Sequence, residues 1–116
     1  MPYRALIVED DPAIRRLVEK LLARHKVEID SASDGRAAMQ KLRAHHYSVI
    51  VLDLMVPEVN GFEIVDYLKK ANVKTPVAVV SAVSQQALSN LDLDVVKLVI
   101  SKPFTSGTMR SRTMTE

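Results

Sequence analysis

The feature that most constrains this chain is an alternation of two kinds of segment. Apolar runs of strand length occur at Ala5–Val8, Val49–Leu52, Val77–Val80 and Val95–Ile100, with a weaker one at Val27–Ala32. Four of the five are nearly unbroken in Val, Ile, Leu and Ala. A strand with one face in water alternates polar and apolar residues, whereas a strand covered on both faces does not. Between the runs, apolar residues recur at helical spacing. Ile14, Leu17, Val18, Leu21 and Leu22 follow i, i+3, i+4, i+7 and i+8, so one face of a helix is apolar. Ala38, Met39 and Leu42 predict a second helix, opened by Ser33 or Asp34 as N-cap. Phe62, Val65 and Leu68 predict a third, and Leu88 with Leu91 a short fourth.

Strands that alternate with helices imply an α/β fold, a parallel sheet with right-handed crossovers and helices on both faces. The expected architecture is a doubly wound five-stranded parallel sheet of order 2-1-3-4-5. Ligands of such sheets bind beyond the C-terminal ends of the strands. With 116 residues and short connections, residues 1–116 form a single domain. The stretch 105–116 is atypical: Met109 and Met114 stand five apart among threonines and a glycine, a poor pattern for a closing helix.

Composition removes several classes of function. There is no cysteine, so thiol catalysis, disulfides and cysteine-bound zinc are excluded, and a reducing cytoplasm fits. No apolar run has the length of a membrane span, and the N-terminus lacks the pattern of a signal peptide. Sixteen Lys and Arg against fourteen Asp and Glu leave +2, but the basic residues are dispersed. With no Trp and only three Tyr and two Phe, no stacking platform for nucleic acid is visible.

Polar residues stand at the ends of the central strands. The first run leads into Glu9-Asp10-Asp11, the third strand into Asp53, the fourth into Ser81 and the fifth into Lys102-Pro103. The expected topology brings these ends to one mouth. Taken singly, each has a plain structural reading: Asp11-Pro12 is a good helix start, Ser81 a turn residue, Lys102 a solvated lysine. Taken together, clustered carboxylates repel unless a cation joins them, and hard oxygen ligands suit Mg²⁺. A lysine and a hydroxyl facing the same point can hold phosphoryl oxygens.

The segments LIVEDDPAIRRLVEKLL, VIVLDLMVPEVNGFEIVDYLK, VAVVSA and ISKPF resemble the receiver domain of two-component response regulators, across residues 6–104. The resemblance implies the flavodoxin-like receiver fold and a phosphoacceptor function. Asp53 would accept a phosphoryl group from a sensor histidine kinase or phosphotransfer protein. Mg²⁺ would be bound by Asp10 directly, by Glu9 through water, by Asp53 and by the Met55 carbonyl. Ser81 would be the switch hydroxyl, Lys102 would pair with the phosphoryl oxygens, and Lys102-Pro103 would be a cis peptide. Pro57 and Asn60-Gly61 match the loop returning to the third helix, where the glycine relieves backbone strain. Such a domain modifies itself and is not otherwise an enzyme. The implied setting is cytoplasmic, with an unknown downstream target or missing output domain, no direct nucleic-acid or membrane partner, and a homodimer as one open assembly state.

Two departures touch the output region. Val99 stands where the family usually has Tyr or Phe, and the interval from Ser81 to Lys102 is about one residue short. The resemblance also puts Met55 and Val83 where polar side chains would line up a hydrolytic water. Two other classes fit the residues less well: an interaction module that no longer switches, which the intact acidic set disfavours, and a dehalogenase-type phosphatase, which needs a second Asp where Met55 stands. A flavin carrier lacks its Ser/Thr/Gly-rich loop after the first strand. His25, His45 and His46 read as cations at helix C-termini, without metal-ligand spacing.

Overall fold

The computed structural model describes residues 3–82, 89, 91 and 94–101. Strands β1 (Tyr3–Val8), β2 (Val27–Ala32), β3 (Val49–Leu52), β4 (Val77–Ser81) and β5 (Val96–Ser101) alternate with helices α1 (Pro12–Ala23), α2 (Gly35–Ala44) and α3 (Gly61–Lys70). The sheet is parallel, in the order β2-β1-β3-β4-β5. This is the order the alternation predicts. Most of the segment expected to form a fourth helix lies outside the described residues, as do Val83, Lys102, Pro103 and the stretch 105–116. Leu91 is described, and it is buried in the core cluster.

The unbroken apolar runs have the expected cause. Ala5, Leu6, Ile7 and Val8 are each fully buried, because β1 lies inside the sheet with neighbours on both edges. Strand β2 is an edge strand and only partly buried, which is why its pattern reads more weakly. One face of the sheet supplies Leu6, Val8, Ile50 and Leu52 to a core that also takes Ala38 and Met39 of α2 and Ile64 and Leu68 of α3. Val99 belongs to this cluster, buried in β5 and paired with Val79.

Each helix starts on a side-chain cap. The Asp11 carboxylate accepts from the Ala13 and Ile14 N–H groups, and Pro12 occupies a first-turn position where no N–H is needed. Asp34, not Ser33, caps α2 by accepting from Ala37 N–H at 2.8 Å. Asn60 and Glu63 form a reciprocal capping box on α3. Helix α3 ends at Lys70 with Ala71 as its cap, and Asn72 just beyond adopts φ 57°. There Asn72 N–H donates to Lys69 O and Val73 N–H to Leu68 O, the double closure of a Schellman turn.

The apolar stripe of α1 is only partly covered: Ile14, Val18 and Leu22 are half-buried, while Leu17 and Leu21 are 40% and 44% exposed. The row i, i+4, i+8 packs toward β1 and β2, and the adjoining row turns outward. His25 and His45 both stand at helix C-termini, as the sequence suggests. Helix α1 ends at Ala23 with Arg24 as its cap, before His25. His45 is the C-cap of α2, with an extended backbone and its N–H donating to Lys41 O at 3.0 Å, and its Nδ1 lies 3.1 Å from Arg4 Nη1. A guanidinium has only donors, so Nδ1 is the acceptor in that contact.

Candidate functional site

The C-terminal ends of β1, β3 and β4 meet at one edge of the sheet. Glu9 follows β1 directly, and its N–H donates to Ala32 O at 3.0 Å. Asp53 follows β3, and its N–H donates to Val8 O at 2.9 Å. These bonds carry the ladder one residue beyond the strands, so two acidic residues are fixed on adjacent strand ends. Both side chains are buried, at 3% and 4% exposure, while Asp10 is exposed. One carboxylate oxygen from each of Glu9, Asp10 and Asp53 lies within 4.8 Å of the other two. Like charges at that range repel one another, and a cation shared among them offsets the repulsion. Three hard oxygen donors fit Mg²⁺, which keeps several waters and takes few protein ligands.

Further contacts set the orientation of these groups. Asp53 Oδ1 accepts from the Met55 N–H at 3.0 Å and from the Ser81 hydroxyl at 3.4 Å. Glu9 Oε2 accepts from Asp11 N–H at 3.1 Å. Asp11 itself turns to α1 and is not one of the three converging acids. Arg15 donates to the Glu9 carbonyl at 3.0 Å. Sequence reasoning does not mark Arg15 for the site; its place in the first turn of a helix beginning beside the acidic pair is the available signal.

The loop from Leu54 to Asn60 closes back on Asp53. Gly61 N–H donates to Leu54 O at 3.0 Å. A Cβ on Gly61 would stand 2.5 Å from Leu54 Cα and 2.9 Å from Asp53 O. Glycine is therefore required here for close approach, not for the strain relief read from the sequence. The left-handed residue of this loop is Glu58, at φ 74°. Met55, 63% exposed, stands on the outer side of the loop.

Of the residues singled out in the sequence, Glu9, Asp10, Asp53 and Ser81 come together, joined by the Met55 N–H. Lys102 and Pro103 lie outside the described residues. The chain belongs to the response regulator receiver domain family, whose model matches residues 5–113. It is 38% identical, over 119 aligned positions, to the protein-glutamate methylesterase/protein-glutamine glutaminase of Treponema denticola, covering 97% of this chain and 32% of that protein. It is 33% identical over 101 residues to the Staphylococcus aureus response regulator ArlR, covering 85% of this chain and 45% of ArlR. The chain thus spans less than half the length of these relatives. Among solved structures, the Thermotoga maritima response regulator TrrA, in complex with Mg²⁺-BeF, superposes with a TM-score of 0.77 at 27% identity, covering 90% of each chain.

Proposed function

We propose that this receiver domain, residues 1–116, takes a phosphoryl group onto Asp53 and thereby switches a contact with a downstream partner. The supporting observation is the buried Asp53 carboxylate at a strand end, with an oxygen within 4.8 Å of one from Glu9 and one from Asp10. The donor is a phosphohistidine on a sensor kinase or phosphotransfer protein, or a small acyl phosphate. An Asp53 oxygen attacks phosphorus. The P–O bond to Asp53 forms as the P–N bond to the donor imidazole, or the P–O bond to the acyl donor, breaks, and the electron pair of the broken bond stays on the leaving imidazole nitrogen or carboxylate oxygen.

Glu9, Asp10, Asp53 and the Met55 carbonyl are the groups to hold Mg²⁺, as the Mg²⁺-BeF complex of TrrA suggests by analogy. When bound, Mg²⁺ supplies neutralisation of the oxygen charge on the transferring group. Ser81 and Lys102 receive phosphoryl oxygens, and the added charge of about −1.5 to −2 draws them toward Asp53. Catalysis is confined to the domain's own phosphorylation and a slow dephosphorylation, in a cytoplasmic setting. No helix among the described residues is long and apolar enough to cross a membrane. The partner is either a separate protein or an output domain of the kind that the greater length of the relatives leaves room for.

Intact-mass spectrometry after treatment with acetyl phosphate and Mg²⁺ tests the reading. Wild type should gain one phosphoryl group and Asp53→Asn none, with thermal stability held or raised because one repelling carboxylate is gone. An adduct of equal yield on the variant would rule out Asp53 as acceptor.

A further inference from the structure

The N-terminus of α2 touches the loop that carries the Met55 backbone. Gly35, the first residue of α2, is buried, and its N–H donates to Pro57 O at 2.8 Å. A Cβ at Gly35 would stand 1.5 Å from Val59 O, 2.4 Å from Val59 C and 2.8 Å from Val59 Cα. Its backbone needs no positive φ, so only this approach demands glycine. The neighbouring Arg36 forms an ion pair with Glu58 at 3.2 Å, and Glu58 holds the left-handed backbone of the loop. Three consecutive loop residues, Pro57, Glu58 and Val59, are thus fixed from α2. The other side of the same loop is fixed by Gly61 against Leu54 and by Met55 N–H on Asp53 Oδ1.

We infer that Gly35 is a positioning residue for the phosphoryl-acceptor site: the absence of its side chain lets α2 clamp residues 57–59 and so sets where the Met55 backbone sits beside Asp53. This rests on the Mg²⁺ and phosphoryl reading above. A side chain at position 35 has to push Val59 O away by about 2 Å to restore ordinary contact. The loop is short and tied at Leu54 by Gly61, so the push is carried toward Met55 instead of being lost in slack. A displacement near 1 Å in a positioning contact can cost on the order of a hundredfold. The coupling is reciprocal, so a cation at the site tightens the Gly35–Pro57 hydrogen bond in turn.

Two measurements test the clamp, and neither depends on turnover. In wild type, the exchange of the Gly35 amide proton should slow at least threefold when Mg²⁺ is added, while the Val73 amide, bonded to Leu68 O at the far end of α3, does not change. In Gly35→Ala, Mg²⁺ should bind at least tenfold more weakly. Ala38→Gly, which loosens the same helix at a buried position one turn further on, should keep the wild-type affinity. Equal Mg²⁺ affinity in Gly35→Ala and wild type would overturn the clamp, as would an equal loss in Ala38→Gly. If Gly35→Ala does not fold, the exchange measurement alone decides, and an unchanged Gly35 amide overturns the clamp. Failure of wild type to bind Mg²⁺ at all would instead remove the metal reading and the clamp with it.

Discussion

Ser81 Oγ lies 3.4 Å from Asp53 Oδ1, across the neighbouring strands β4 and β3, with both side chains buried. That is long for an O–H···O bond, whereas the Met55 N–H holds the same oxygen at 3.0 Å. The hydroxyl is aimed at the carboxylate at a range that a small inward movement would shorten. Charge added to Asp53 strengthens that pull, because hydrogen bonds to ionised acceptors are shorter and roughly twice as strong as neutral ones. The movement would be felt along β4 and in β5, which pairs with it.

Ser81→Ala should therefore separate modification from response. Asp53 should still take up a phosphoryl group, while the amide shifts that uptake causes in residues 79–82 and 96–101 should fall by more than half. The stability cost should be modest, about 1 kcal/mol, since the variant loses one hydroxyl contact. Undiminished shifts would show that Ser81 does not transmit the change.

Mg²⁺ should stabilise wild type and stabilise Asp10→Ala much less. A ligand that binds only the folded state contributes about 2.7 kcal/mol at a hundred times its Kd. For a domain of this size that is a rise in Tm of about 10 °C. Asp10 is the exposed member of the three converging acids, so its removal leaves the packing of Glu9 and Asp53 in place. Melting curves with and without Mg²⁺ check this, and an equal shift in both proteins would show that Asp10 is not a ligand.

How much of this was legible in the sequence depends on the range of the interaction. The sheet was legible because burial on both faces of a central strand is written locally, as in Ala5–Val8, and the switch from unbroken runs to helical spacing marks each crossover. The acidic set was legible because strand order alone brings Glu9 and Asp53 together. Contacts between elements distant in sequence were not. Asp34-Gly35 reads as a helix start, and nothing local says that Val59 O will occupy the space of a Cβ there. Gly61 reads as a turn glycine, although its need is close packing against Leu54. The outward row of α1, Leu17 and Leu21, shows the opposite limit: periodicity identifies an apolar stripe but not how much of it is covered.

Met55→Asn should shorten the life of the phosphoryl group. Hydrolysis requires a water lined up behind phosphorus, and a polar side chain can hold it there. Met55 offers only a weak thioether acceptor. Its backbone N–H bonds Asp53 directly, so the residue is anchored beside the acceptor, and it is 63% exposed and so accessible to such a water. After removal of the donor, phosphate should be lost severalfold faster from the variant than from wild type. Identical or slower decay in Met55→Asn would sink the idea.

At the opposite end of the sheet, Tyr47 should give the protein an alkaline limit. Its ring is buried, and its hydroxyl donates to Asp30 Oδ2 at 2.7 Å. Burial, then that hydrogen bond, then the negative charge of Asp30 push the phenol well above its ordinary value of 10.0. The folded state therefore keeps the Tyr47 proton at a pH where the unfolded chain has released it. Below pH 10 both states hold the proton, and the contribution to stability is fully present. Above it the unfolded chain binds fewer protons than the folded one, so stability falls as pH rises, by about 1.4 kcal/mol per pH unit from this group. Tyr47→Phe should lose about 1 kcal/mol at neutral pH with the hydrogen bond to Asp30. It should also lack this share of the alkaline slope, so the two stability curves should converge as pH rises above 10. Denaturant unfolding from pH 8 to 11 measures both curves, and parallel curves would show that Tyr47 does not carry the alkaline loss.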